Sequence, residues 1–458
     1  MEKTAATLHR PVARNWTQGS ILQNIWLISW PMIVLNALYS GNLILEMIWV
    51  GQLGAASIAG VGIGGFVVLL VIAVKQGFGA GERALIARFI GAGDVTSANH
   101  TLGQAFVISA IYGALITLIG IFLSGPILSL FSLSPDATAE GMLYLRMVLI
   151  GWFTEAFWMT SLSSMQASGD PVTAMKVAIF LRIANAALCP FLVLGWWIFP
   201  RLGVTGAGLT YVIATGLGMV ITIWIFFTGR TRLKLTLKDI RPDPGFLWRI
   251  LRIGIPASVM GVGKAFGDLI LTGLMIPFGT MALAGHNLIA RIESFVNMSA
   301  MGLGNGASVL VGQNLGVRQP DRASRSGWLA LGLVEGFMIV CGTVLLIWSG
   351  NIISIFNVEP ELLKLAVDFL RIAVAGYLGI AVINVMQVCI SGSGDTLPPM
   401  IISMSMLWAI QLPLAFVLSR FSSLGVLGVR WAIVIGFALG AVAYLIYFRL
   451  GRWKRKKV

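Results

Sequence analysis

The two halves of this sequence carry the same short texts at one fixed interval. Gly51 to Gly60 (GQLGAASIAG) lines up with Ile276 to Gly285 (IPFGTMALAG). Ser124 to Phe131 (SGPILSLF) matches Ser349 to Phe356 (SGNIISIF), and Ser168-Gly169-Asp170 matches Ser393-Gly394-Asp395. 279 minus 54, 349 minus 124 and 393 minus 168 are each 225, and Pro31 and Pro256 keep that interval. An offset this constant marks a duplicated structural unit. The fold must therefore be built from two similar halves.

The solvent of those halves follows from composition. The chain is 57% hydrophobic and 11% charged, with a mean hydropathy of +0.89, where soluble domains carry about 25% charged residues. Runs of about 20 apolar residues are long enough to span a bilayer as helices. Open sheets and lipid-facing loops would leave backbone groups unpaired there. Twelve spans are expected at 22–50, 57–80, 102–124, 141–165, 173–199, 205–228, 250–276, 285–312, 327–349, 365–390, 398–420 and 428–449. Six fall in each copy, so both copies enter from the same side and relate by an axis along the membrane normal. The expectation is an all-α membrane protein with twelve transmembrane helices in two six-helix lobes related by a pseudo-two-fold along that normal. An N-terminal segment (1–20) precedes the N-lobe (21–228). A linker (229–249) leads to the C-lobe (250–450) and a basic tail (451–458). Gly60, Gly62, Gly64 and Gly65 would allow close helix approach. Gly91, Gly93, Gly169, Gly316 and Gly394 fall at helix ends, where glycine caps with positive φ.

The formal charge is +14 and the pI about 10.1. Nucleic acid is not the expected partner, because the positive-inside rule explains the excess. Arg230, Arg232, Lys234, Lys238 and Arg241 lie between the copies; Arg318, Arg322 and Arg325 form a second group; Arg452, Lys454, Arg455, Lys456 and Lys457 end the chain. The alternate connections, Phe131–Gly141 and Phe356–Leu365, are poor in Lys and Arg. Both termini and the linker are therefore expected in the cytoplasm, with the chain multi-pass in the plasma membrane (the inner membrane, if the source is prokaryotic). Met1 to Ser20 has no signal-peptide core. Asn15-Trp16-Thr17 fits a glycosylation sequon that would go unused on that side. Cys189, Cys341 and Cys389 fall within spans and form neither a disulfide framework nor a zinc spacing.

Several catalytic signatures are missing. There is no P-loop text: Lys264 follows Gly263, but Ala265 comes next. There is no H-E-x-x-H or G-x-S-x-G, and His9, His100 and His286 are scattered. No enzyme, cofactor or metal site is expected. Duplicated helical units are the plan of many secondary transporters, with the site between or within the copies. Work would then come from an ion gradient, a partner or downhill flow.

Residues 279–323 (GTMALAGHNLIARIESFVNMSAMGLGNGASVLVGQNLGVRQPDRA) resemble the seventh-to-eighth helix signature of the multidrug and toxic compound extrusion (MATE) family. Ala87 to Asp94 (ARFIGAGD) is their partner in the first copy. Gln166 to Pro171 (QASGDP) and Ser391 to Thr396 (SGSGDT) resemble the family's loops after helices four and ten. The resemblance covers essentially the whole chain and looks most like the DinF-like prokaryotic branch. It implies two lobes forming a V, alternating access, and export of organic cations and other amphiphiles driven by proton or sodium entry. The implied partners are small cationic amphiphiles, protons and the lipid bilayer, with the chain a monomer.

An ionisable group within a span costs at least ~2.5 kcal/mol on insertion scales. Each is a functional candidate, with a structural ion pair as the alternative. They are Glu46, Glu155, Arg182, Lys264, Asp268, Arg291, Glu293 and Glu335. Glu46 stands where the family usually has its ion-carrying Asp, so the resemblance implies proton or cation coupling there, with Asn185 as polar neighbour. Tyr39 and Asn42, seven and four residues earlier, share its side of the helix. The family's N-x-x-x-D-P reads Asn185-Ala186-Ala187-Leu188-Cys189-Pro190 here, and its tenth-helix D-x-x-Q reads Asn384-Val385-Met386-Gln387. Lys264 stands near a family Glu. These departures favour protons over sodium, with sodium-coupled or uncoupled export left open.

Depth arithmetic at ~1.5 Å per residue puts Glu155 and Arg182 about equally far into their spans, as a structural ion pair. Lys264 and Asp268 are spaced to pair on one helix face. Glu293 reaches a similar depth near Arg291. Trp152, Phe153, Phe157, Trp158 and Met159 surround Glu155 as candidate cavity lining. The substrate-cavity candidates are Tyr39, Asn42, Glu155, Trp158, Lys264, Asp268, Arg291, Glu293, Asn384 and Gln387. A flippase for a lipid-linked head group is the alternative, supported by Arg182, Lys264 and Arg291. A non-transporting scaffold would need neither the repeat nor a buried carboxylate. A negative cavity would suit cations and a positive one pyrophosphate.

Overall fold

The computed structural model describes residues 15–131, 134–356 and 359–456. The first repeat forms α1 (Ile21–Gly51), α2 (Ala55–Gly91), α3 (Val95–Ser129), α4 (Pro135–Ala167), α5 (Pro171–Leu194) and α6 (Val204–Thr228). The second forms α7 (Pro244–Gly273), α8 (Thr280–Gly316), α9 (Pro320–Ile347) and the short α10 (Ser349–Ser354). It continues through α11 (Pro360–Ala375), α12 (Tyr377–Gly392), α13 (Leu397–Met404), α14 (Leu412–Phe421) and α15 (Val426–Leu450). Among the described residues nine helices are long and apolar enough to cross a membrane. α11 and α12, bent by 49° at Gly376, make a tenth crossing. α4 and α8 complete the twelve; they have 33 and 37 residues, but polar side chains interrupt their apolar runs. α13 and α14 are one span, Leu397–Phe421, joined by a π-helical stretch (Ser405–Gln411) just before Pro413.

Local chemistry sets the ends. Asp94, Asp170 and Asp243 cap α3, α5 and α7, each accepting a backbone N–H from the first turn. At Asp243 the N–H groups of Phe246 and Gly245 hold the carboxyl below the usual carboxylate range. That capping is present at neutral pH and fades as pH falls through the carboxylate range. Because Pro244 follows this cap, α7 starts before the expected 250, and the linker ends at Asp243. α2 likewise runs on to Gly91, well past the expected 80.

The repeat is visible in the backbone. Gly54 and Gly279, 225 positions apart, precede α2 and α8 with φ of 117° and 90°. Gly169 and Gly394 follow α4 and α12 with φ of 86° and 90°. Gly93 has φ 77°, and its counterpart is Arg318 at φ 58°. Gly91 and Gly316 depart from the capping expectation. They are the last helical residues of α2 and α8 and face one another across the lobes. A Cβ on Gly91 would overlap the Gln313 backbone, and one on Gly316 the Arg88 carbonyl.

α4 packs centrally in the N-lobe against α2, α3 and α6, as α12 does in the C-lobe against α8, α9 and α15. The lobes meet along two main seams, α1 on α8 and α2 on α7, and the end of α2 also packs on the end of α8. At the first, the Ser29 hydroxyl donates to the Leu303 carbonyl at 3.3 Å and the Asn36 amide to the Met298 carbonyl at 3.0 Å. At the second, Gly77 and Gly81 lie so close to Ser258 and Ile250 that no side chain fits between. Beyond the seams, Gln313 Nε2 donates to the Ala167 carbonyl at 3.1 Å and Arg88 Nη1 to the Ser393 and Lys456 carbonyls at 3.2 and 2.7 Å, while Trp16 Nε1 donates within the first half to the Gly169 carbonyl at 3.0 Å. The described ends of the chain thus lie on one face with the Lys- and Arg-rich connections, called the basic face below. The tail is not a free basic strand: Arg452–Arg455 forms a 3-10 turn, Trp453 is fully buried on Phe448, and Lys456 pairs with Asp395 at 2.9 Å. Residues 1–14 and 457–458 lie outside the described residues.

Gly81→Leu should force α2 and α7 apart at a cost of about 1–3 kcal/mol. Thermal unfolding in detergent should show a clear drop in Tm for Gly81→Leu and little change for Gly65→Leu, whose added carbon meets open space. Equal Tm values would refute the close-approach role.

Candidate functional site

Between the lobes lies a cavity of about 830 Å³. It runs from Gly77, Ser163, Gln166 and Ser391 near the basic face to Leu271 and Thr272 at the far end of α7. The seams close it toward the basic face.

Its N-lobe wall comes from α1, α2, α4 and α5. Tyr39, Glu155 and Trp158 line it, and so does Arg182, which the sequence offered as a structural ion-pair partner. Glu155 and Arg182 face the same space, but no ion pair joins them among the described residues. The Arg182 guanidinium instead lies over the Tyr39 ring, 5.2 Å from its centre. Tyr211, Arg182 and Lys75 surround Glu155 electrostatically, and its Oε2 has no hydrogen-bond partner. Of the aromatic group around Glu155, Trp158 and Met159 reach the cavity. Trp152 is fully buried against Tyr112, Phe157 packs on Phe106, and Phe153 is exposed on the outer surface. Asn185 is buried in α5 away from the wall. Asn42 and Glu46 belong to α1, but their side chains lie outside the described residues.

The C-lobe wall carries Lys264, Asp268, Glu293, Asn384 and Gln387. Lys264 and Asp268 stand one turn apart on α7, both exposed. Glu293 does not join them. Both its carboxylate oxygens accept from Arg430 Nη1 at 3.3 Å, while Arg430 Nη2 donates to the His286 carbonyl at 3.3 Å. The Arg430 guanidinium also lies 5.3 Å from the Phe369 ring centre. Asn384 donates to Asn297 Oδ1 at 3.3 Å. Arg291 is exposed on α8 and lies outside the wall.

Four charged residues escaped the sequence reading. Arg430 lies near the start of α15, inside the expected span 428–449, but close enough to its edge to be passed over as an interfacial charge. Lys75, Glu82 and Arg83 sit around the expected end of the second span at 80, but α2 continues and buries them. Lys75 donates to Thr160 Oγ1 at 2.6 Å and lies 4.0 Å from Glu82 Oε2, both side chains only 2% exposed. Thr160 continues to Ser109 at 2.7 Å. Arg83 lines the cavity and donates to Ser163 at 3.3 Å. The wall therefore carries both signs: Glu155, Asp268 and Glu293 against Arg83, Arg182, Lys264 and Arg430. With three acidic against four basic side chains, the wall gives no strong preference between the negative and the positive cavity weighed from the sequence. Among the described residues no group of three His, Cys, Asp or Glu could hold a metal ion.

The Glu293–Arg430 pair sets up a double-mutant test. Glu293→Gln leaves a guanidinium only 2% exposed without its counter-charge, which costs about 3–5 kcal/mol. Adding Arg430→Met should recover much of that loss. Thermal unfolding of both single variants and the double variant should show the double above Glu293→Gln, and strict additivity would argue against the pairing.

The model of the MatE family matches residues 31–191 and 256–417. The two segments start at Pro31 and Pro256, the repeat's own interval. The chain is 25% identical to the probable multidrug resistance protein YoeA of Bacillus subtilis over 456 residues, covering 98% of this chain and 97% of that one. It is 26% identical to the probable multidrug resistance protein NorM of Thermotoga maritima, covering 90% and 88%. Among solved structures, a MOP superfamily transporter from Pyrococcus furiosus superposes with a TM-score of 0.90 at 21% identity, over 96% of this chain and 98% of that one. It is described as having a binding pocket of reverse polarity that suggests a different function. An outward-facing multidrug resistance MATE family transporter superposes with a TM-score of 0.89 at 22% identity, over 96% and 98%. The duplicated lobes and the matched segments agree: the chain is a multi-pass membrane protein of the MatE family of transporters.

Proposed function

We propose that the chain exports amphiphilic small molecules by alternating access, coupled to proton entry through Glu46. The observation that carries this reading is the cavity between the lobes, closed toward the basic face and lined by apolar, aromatic and charged groups together. Its relatives named as probable multidrug resistance proteins support it. In this reading the basic face is cytoplasmic, the membrane is the plasma membrane, and the protein works as a monomer. The state described here is then open away from the cytoplasm. Loading from the cytoplasm requires the two seams, the Gln313 contact to the Ala167 carbonyl and the Arg88 contacts to part. Protonation of a carboxyl in α1 would bias the two states, provided proton affinity differs between them; reversing a 1:99 population takes about 5.5 kcal/mol.

Asn185 would help hold the carrier carboxyl, and Tyr39 and Asn42 would solvate its protonated form. The thiol at Cys189 and the amide at Asn384 offer sodium fewer hard ligands than carboxylates would, which favours protons. Glu46→Gln should abolish rhodamine 6G efflux driven by an imposed pH gradient in proteoliposomes, with dye binding retained. Glu46→Asp should keep part of the rate. Parent-like efflux by Glu46→Gln, or efflux that follows a sodium gradient instead, would overturn the assignment.

A further inference from the structure

We infer that the end of the cavity nearest the basic face is a subsite for an anionic group, a carboxylate, sulfonate or phosphate, on the transported amphiphile, with Arg83 as its ligand. The inference rests on the reading of this cavity as the substrate site and names a feature of what that site accepts.

The argument begins one residue earlier in α2. Glu82 turns into the interior of the N-lobe, where Lys75 lies 4.0 Å away. Lys75 in turn is fixed by Thr160. The carboxylate next to Arg83 in sequence is therefore already matched by an ammonium. Lys75, Glu82 and Arg83 together keep one positive charge in excess, and the guanidinium is the member that faces the cavity. Its hydrogen-bond partner there is the Ser163 hydroxyl at 3.3 Å, which is shared with Glu82, and no carboxylate lies within direct ion-pair distance among the described residues.

A guanidinium held between helices whose one nearby carboxylate, Glu82, is shared with Lys75 is left under-compensated. It is also a planar fork that matches carboxylate, sulfonate and phosphate oxygens in pairs. The same cavity is also lined by Gln166 from α4, Asn305 and Ser308 from α8, and Gln387 from α12. These supply neutral donors and no competing negative charge. Above them Trp158, Met159 and Leu162 form an apolar stretch of the same wall. Glu155 stands eight residues before Ser163 on α4, about 12 Å further from the basic face. The wall thus reads, from its deep end outward, as cation, apolar stretch, then carboxylate beside Arg182. An amphiphile with an anionic group at its deep end fits that order.

The test uses two dyes on one xanthene ring, anionic sulforhodamine B and cationic rhodamine 6G. Binding to the full chain in detergent is followed by fluorescence polarisation. The parent protein should bind both. In Arg83→Met the ratio of sulforhodamine B to rhodamine 6G affinity should fall about tenfold, the worth of one charge-assisted contact. Arg83→Lys should restore part of it. Ser163→Asp, which places a carboxylate against the guanidinium, should lower the same ratio while keeping the arginine. It answers the question even where Arg83→Met does not fold. An unchanged ratio in the variants, or a parent that binds rhodamine 6G alone, would overturn the subsite. A parent that binds neither dye would overturn both the subsite and the cavity's role as the substrate site.

Discussion

Everything in this molecule depends on two helices of opposite lobes touching backbone to backbone. Gly77 and Gly81 let α2 rest on Ser258 and Ile250 of α7 with no side chain between. Lipid offers little hydrophobic drive for association, so close packing and hydrogen bonds must hold the lobes together. The second seam follows the same rule, with Gly302 and Gly306 against Ile33 and Ser29. Because both seams run toward the basic face, the lobes splay above them, and the cavity is what splaying leaves.

The charges obey a second constraint. In a medium poor in water each must find a partner or face a wet space. Arg430 takes Glu293, and Lys75 takes Glu82 and Thr160. Arg182 takes an aromatic face, while Lys264 and Asp268 look into the cavity. The pairings inside each lobe stiffen it as a body. Arg83, Arg182, Lys264 and Asp268 stand on the cavity wall, where a substrate can supply counter-charge, while Arg291 and Glu335 lie off it.

The repeat, the helix count and the presence of a shared cavity were legible in the sequence, because a 225-residue offset and apolar run lengths are direct signals. Tyr39, Glu155, Trp158, Lys264, Asp268, Glu293, Asn384 and Gln387 do line the cavity. Partner choice was not legible. Depth along a helix gives height and not azimuth, so Glu155 and Arg182 share a level without bonding. Arg291 and Glu293 are two positions apart on α8, which turns them to different sides. The expected end of the second span at 80 hid Glu82 and Arg83, because charged residues there look like a membrane boundary, and Lys75, close inside that end, was passed over with them. A long helix continuing below the lipid, as α2 does to Gly91, cannot be told from a loop by hydropathy alone.

The folded-back tail has one further consequence. Its backbone at Lys456 is held by Arg88, which belongs to the other lobe, while Trp453 is anchored in its own. The turn at Arg452–Arg455 is therefore a mechanical bridge, strained by any rocking of one half against the other. A fluorophore or affinity tag fused there hangs from a moving joint rather than from an inert end. Such a fusion shifts the conformational balance it is meant to report, and the first place to attach one without that burden is elsewhere on the surface.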